Sequence, residues 1–145
     1  MSDGVKGWLQ SSGRLRHDPK MKGQKVVEPF WLILDCEDDL RGLYAWLLFR
    51  QHCVKLRRPA WGTHISVVRG ENVPCPGGWG KNDGKRLSFW YKPLVKTNGR
   101  HYWMPISCPA LSQVREGYGL PKYPSPNFHL TLGNDELSEP KGAAE

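Results

Sequence analysis

Thr63-His64-Ile65-Ser66-Val67-Val68 is the stretch on which the reading of the fold turns. In an extended chain residues i and i+2 share a face, so the imidazole of His64 stands beside the hydroxyl of Ser66 while Thr63, Ile65 and Val67 turn the other way. The pattern returns in Phe128-His129-Leu130-Thr131-Leu132, with His129 and Thr131 on one face and three apolar side chains on the other. The remaining histidines, His17, His52 and His101, have Pro19, Val54 and Trp103 two residues on and no hydroxyl. Serine forms strands less readily than threonine, so Ser66 in an apolar strand asks for a reason other than propensity. Two such strands facing one cleft would hold two proton-transfer groups and two hydrogen-bond donors, a sufficient set for metal-free cleavage of a phosphodiester.

Working outward from the first motif, its strand is expected over 61–69. Upstream, Pro29-Phe30-Trp31-Leu32-Ile33-Leu34-Asp35-Cys36 reads as a buried strand, a continuous apolar run bounded by proline and acid. Asp38 or Asp39 then offers an N-cap, and Leu40, Leu43, Tyr44, Leu47 and Leu48 follow at the spacing of an amphipathic helix ending near Cys53. Downstream, residues 70–85 form a long loop rich in Gly and Pro with Trp79 in its middle, which reads as a substrate-covering flap. Residues 87–95 and 101–106 are strand-like and flank the turn signal Asn98-Gly99, with Pro93 marking a sheet edge. A short helix over 109–116, packed through Leu111 and Val114, and a proline-rich turn over 121–127 lead to the second motif strand. Residues 1–25 are read as a partly ordered basic arm, 26–134 as one domain and 135–145 as an acidic flexible tail.

Composition agrees with a single domain: 145 residues, 39% hydrophobic and 7 Trp, enough for one core and too few residues for two. No signal segment opens the chain and the longest apolar run is far short of a membrane span, so a soluble cytoplasmic protein without membrane contact is expected. Cys36, Cys53, Cys75 and Cys108 form no Cys-x-x-Cys pair, which indicates reduced thiols and neither a zinc ribbon nor a redox motif. The net charge is +7, with Lys6, Arg14, Arg16, Lys20, Lys22 and Lys25 near the start and Lys55, Arg57 and Arg58 before the first motif. Such a field draws a polyanion, and nucleic acid or a nucleotide suits it better than a membrane because no strongly basic amphipathic helix is present.

The tetrapeptides His64-Ile65-Ser66-Val67 and His129-Leu130-Thr131-Leu132, each flanked by apolar residues, resemble the paired motifs of the 2H phosphoesterase superfamily. That family includes LigT-like RNA 2′,5′-phosphoesterases, cyclic phosphodiesterases and viral enzymes that destroy nucleotide second messengers. The likeness spans about 29–133, and the approach through 121–128 is similar to that of some phage members. It implies an α+β fold, two pseudo-symmetric lobes of mainly antiparallel sheet with flanking helices around a central cleft. It also implies hydrolysis of a nucleotide phosphodiester without metal or other cofactor, in the host cytoplasm if the source is viral. The substrate would be an RNA end bearing a 2′,3′-cyclic phosphate, a 2′,5′-linked oligonucleotide or a cyclic oligonucleotide signal, and no obligate protein partner is implied.

The chemistry follows from the residue types. One imidazole takes a proton from the attacking water or 2′-hydroxyl and the other gives one to the departing oxygen, and either of His64 and His129 can begin as the base. Ser66 and Thr131 are the donors aimed at the phosphate oxygens. Arg69 is a candidate phosphate-binding cation, although its odd offset from His64 puts it on the opposite face unless the strand bends. Trp61, Trp79, Tyr91 and Tyr123 are candidate substrate-binding aromatics. A non-catalytic basic module that binds RNA or a nucleotide is the alternative; it explains the charge but not the two matched His-hydroxyl pairs.

Overall fold

The computed structural model describes residues 7–19, 30–59 and 62–136. In chain order its elements are β1 (Leu9–His17), β2 (Leu32–Cys36), α1 (Asp38–His52), β3 (Leu56–Arg57), β4 (His64–Val68), β5 (Arg86–Tyr91), β6 (Lys96–Thr97), β7 (His101–Ser107), α2 (Pro109–Gly117) and β8 (His129–Asp135). Alternation along the strands sends Leu15, Leu34, Ile65, Phe89, Met104 and Leu130 inward, each at most 2% exposed. Burying that face closes the sheet on itself: β1, β2, β4, β8, β7 and β5 form a ring in which every neighbour is antiparallel. β3 extends the sheet beside β8 and β6 beside β7. The α+β, mainly antiparallel architecture expected from the sequence is therefore present.

The ring is not uniform. β1 pairs along most of its length with β2 and β5, whereas β4 meets β8 only at Ile65 opposite Leu130. β5 meets β7 only at Trp90 opposite Ser107 and Tyr91 opposite Ile106. These two narrow seams let the backbones part on either side of them.

The segment read as a partly ordered arm is corrected over 9–17, which form β1, a strand with hydrogen-bonded partners on both edges. Its sequence carries little β propensity, and proximity holds it instead. A Cβ on Gly13 would stand 2.7 Å from the Asp35 carbonyl oxygen, so only glycine lets the two backbones approach this closely. Lys6, Lys20, Lys22 and Lys25 lie outside the described residues, as does the tail beyond Glu136; Asp135, assigned to that tail, ends β8 opposite Leu56.

Helix α1 occupies the expected span, but Glu37 holds the capping position, without a side-chain cap, where Asp38 or Asp39 was expected. It ends where Cys53 turns left-handed, with φ 57°, and its N–H bonds the Phe49 carbonyl. The buried stripe is rotated from the expected one: Leu48 is buried and Leu43 is 50% exposed, while Arg41 turns inward and donates to the Leu132 carbonyl at 2.9 Å. In the β6–β7 hairpin Asn98 Oδ1 accepts the N–H groups of Arg100 and His101, as the Asn-Gly signal anticipated.

The flap expectation for 70–85 is also corrected. Trp79 Nε1 donates to Asp18 Oδ2 at 2.9 Å, and its ring packs against His17, Phe30 and Tyr118 with centroids about 5 Å away. His17 itself bridges the Asp83 carboxylate and the Tyr118 hydroxyl. An apolar ring inside this loop serves to fasten it to the body. No helix among the described residues is long and apolar enough to cross a membrane.

Candidate active site

The single pairing of Ile65 with Leu130 fixes the relation of the two motifs. Because β4 and β8 run antiparallel, continuing that register sets His64 toward Thr131 and Ser66 toward His129, and Ser66 and His129 line one cleft together. By alternation along each strand the four side chains fall on the face opposite the fully buried Ile65 and Leu130.

The likeness extends to the imidazole hydrogen bonds. His64 Nδ1 donates to the Gly62 carbonyl at 2.9 Å, and His129 Nδ1 donates to the Asn127 carbonyl at 2.8 Å, in each case two residues back. A carbonyl can only accept, so both rings carry their proton on Nδ1 when neutral and keep the lone pair on Nε2. In each half the bend of chain before the strand supplies the acceptor that orients the ring.

The surroundings are not symmetric. His64 is 8% exposed, and burial is the main influence pushing its pKa below the ordinary imidazole value. The Gly62 bond opposes this, the positive charge of Arg69 adds to it, Asp35 opposes it and His129 adds to it. Asp35 reaches His64 through the sheet, since the two residues are partners across β2 and β4. His129 is half-buried and has Trp103 beside it, with ring centroids 6.3 Å apart.

Where the strands part, a cleft of about 370 Å³ opens, lined by Ser66, Arg69, Glu71, Ser125, Pro126 and His129 among others. Of the four motif side chains Ser66 and His129 line it, and His64 and Thr131 do not. Arg69 lines this cleft rather than pointing to the opposite face. The strand ends at Val68, and a register shift beside it in the β2–β4 pairing supplies the bend that the sequence could not specify. The Arg69 guanidinium also lies 4.3 Å from the centroid of the buried Trp31 ring, a cation–π contact that holds it in place.

Both walls of the cleft are tied to Arg115 of α2, which is 1% exposed. Its Nη1 donates to the Val67 carbonyl at 2.8 Å, its guanidinium forms a two-point pair with the Glu71 carboxylate at 2.6 and 2.8 Å, and its Nε donates to the Pro121 carbonyl. One side chain therefore connects the end of the first motif strand, the turn after it and the segment leading into the second motif. The Arg115 bonds hold the Glu71 carboxyl below its usual pKa.

The aromatic candidates do not gather here. Tyr91 is 8% exposed and packs against Tyr44 and Phe89 in the core, which rules it out as a stacking surface. Trp79 is the loop anchor described above, and Trp61 lies outside the described residues. Tyr123 is 59% exposed, stands edge-on to Phe128 and lines a separate hollow beside α2, on the other side of the segment whose Pro124–Pro126 face the cleft. A roomier hollow of about 480 Å³ lies between α1 and residues 93–97, but it is mainly apolar and has a single imidazole, His52, in its wall. Sequence reasoning missed Asp35, Glu71, Trp103 and Arg115. Asp35 stood in plain view as an acid in an apolar run but was read as the end of a strand.

All four thiols are free; Cys36 and Cys108 are buried, and burial pushes both up and away from the reactive thiolate. Among the described residues no three His, Cys, Asp or Glu side chains converge as a metal-binding group. No family model, curated protein or solved structure matches the chain.

Proposed function

We propose that this protein is a phosphodiesterase of the 2H type that hydrolyses a nucleotide phosphodiester by acid–base catalysis between His64 and His129, without a metal. The observation that carries the reading is the paired register: two His-x-hydroxyl triplets meet at Ile65 and Leu130, and each imidazole is oriented by the carbonyl two residues before it. A structural role for either histidine would not require the same bond in both halves.

The burial of His64 and the lowered pKa that goes with it favour this residue as the base. Neutral at working pH, it takes the proton from the attacking water or ribose hydroxyl through Nε2, leaving His129, on the wall of the cleft, to protonate the departing oxygen. Ser66, on the cleft wall, donates to the non-bridging oxygens as negative charge grows there and Arg69 adds a fixed cation; Thr131, outside the cleft lining, takes the matching role in the second motif. The two narrow seams favour the two-lobe arrangement that the 2H resemblance implies. One half is the four-stranded run β4, β2, β1, β5 and the other is β3, β8, β7, β6, each contributing one motif strand. Candidate substrates remain RNA ends with a 2′,3′-cyclic phosphate, 2′,5′-linked oligonucleotides and cyclic oligonucleotides, which share the reacting group.

One observation favours a second reading, a basic module that binds RNA or a nucleotide without cutting it: His64 is almost enclosed. Incubating the full chain with the three substrate classes in the presence of EDTA, and resolving products by chromatography, separates the two. Product formed by the wild type and lost in both His64→Ala and His129→Ala supports the enzyme. Retention of unchanged substrate supports the binding module.

A further inference from the structure

Helix α1 is apolar almost all the way round. From Gly42 to Phe49 it carries no charged residue, and on a helical wheel Leu40, Tyr44 and Leu48 cover one side while Leu43, Trp46 and Phe49 cover another. A helix with this pattern is ordinarily covered on every side. Here the sheet covers only the first side: Leu43, Trp46 and Phe49 are 50%, 54% and 53% exposed. Scattered exposed apolar residues are unremarkable, but three in succession at one-turn spacing form a continuous stripe.

Charge marks the ends of that stripe. Asp39 stands at its start and Arg50 at its finish, both exposed, and Arg50 lies over the Trp46 ring at 5.4 Å. Asp38, by contrast, is engaged on the body side with Thr63, Arg41 and Arg58. Asp39, Leu43, Trp46 and Arg50 follow one another at spacings of four, three and four residues, a single line along the helix. Turned end for end, this line is complementary to itself: in one antiparallel register Leu43 meets the partner's Trp46 while Asp39 meets the partner's Arg50, and the two-fold axis repeats both contacts. Gly42 flanks the line, and nothing lies within 4 Å of where its Cβ would be, so the helix surface is low there and a second backbone can come close.

We infer that this face of α1 is a homodimer interface, in which a second copy of this chain packs its own α1 antiparallel across the Leu43–Trp46 stripe with reciprocal Asp39–Arg50 pairs. The partner is a second copy because the charge order reverses along the same line that carries the apolar centre. An unrelated partner would need no such self-complementarity. None of the residues used lines the motif cleft, so the inference is independent of the catalytic reading.

Sedimentation velocity of the full chain, from about 1 to about 100 µM, tests it. The expected species at the upper end has twice the 16.5 kDa chain mass. Trp46→Lys, which places a charge at the centre of the contact, is expected to weaken association on the order of 30- to 100-fold, as loss of a central aromatic anchor does. Asp39→Arg alone and Arg50→Asp alone should each weaken it, and the double exchange should restore it to within about threefold of wild type, because the reciprocal pairs are then re-formed with opposite sign. Circular dichroism of each variant confirms that α1 is intact, which matters because both charges also suit the helix dipole. A chain that stays monomeric at the highest concentration, a dimer indifferent to Trp46→Lys, a double exchange that fails to restore association, or a different protein seated on this face would each overturn the inference.

Discussion

The two motif halves are built alike and situated differently. His64 and His129 share a register, a hydroxyl two residues on and a carbonyl bond two residues back. Yet His64 is enclosed and faces Asp35 and Arg69, whereas His129 opens to the cleft beside Trp103. The difference shows how two like frames can stand in unlike surroundings: the same carbonyl bond fixes which nitrogen of each ring carries the proton, and burial lowers the pKa of His64.

The most severe way to break the comparison is to remove either ring. His64→Ala and His129→Ala should each lower the hydrolytic rate by about 10³- to 10⁴-fold, and the double variant should be little worse than either single one, because the two act as a unit. Steady-state rates on whichever substrate class is cut provide the check, and full activity in either single variant would dispose of the mechanism. Next comes Arg115→Met, which strands the Glu71 carboxylate and cuts the link between the two walls. A loss of about 1 to 3 kcal/mol in urea unfolding is expected, because Glu71 is only partly buried and water takes up some of the lost bonds.

The hydroxyls sharpen the comparison further. Ser66→Ala and Thr131→Ala should lower kcat by about 10² to 10³-fold each with little change in KM, as for donors that act mainly in the transition state. Ser66, on the cleft wall, is expected to show the larger loss.

Much of this frame was legible beforehand because it rests on period. The alternation around His64 and His129 placed both strands, and the run of spaced apolar residues placed α1. What stayed hidden depends on neighbours distant in sequence. β1 has little β propensity, and the reason for Gly13 within it, the Asp35 carbonyl that leaves no room for a Cβ, lies on a strand distant in sequence. Arg69 enters the cleft through a register shift, and Tyr91 is lost to the core because Tyr44 and Phe89 are there. Trp79 was rightly singled out as out of place in a solvated loop, but its partner Asp18 could not be named without the fold.

The smallest expected effect addresses the asymmetry directly, through pH. If His64 is the base, the acid limb of the rate profile reports its titration and lies below the ordinary imidazole value. Arg69 lowers this pKa, so Arg69→Gln should move the limb to higher pH. Asp35 raises it, so Asp35→Asn should move the limb to lower pH. Profiles of kcat/KM in which the two variants move the alkaline limb and leave the acid limb in place would reverse the assignment of base and acid.

Closure of the sheet also governs how this molecule can meet others. Among the described residues the ring leaves only β3 and β6 as outer strands, each two residues long. Neither outer strand offers a foreign strand a long run of open amide and carbonyl groups, so edge-on addition there has little to start from. At these two edges, side chains and hollows offer a partner more than the backbone of the sheet does.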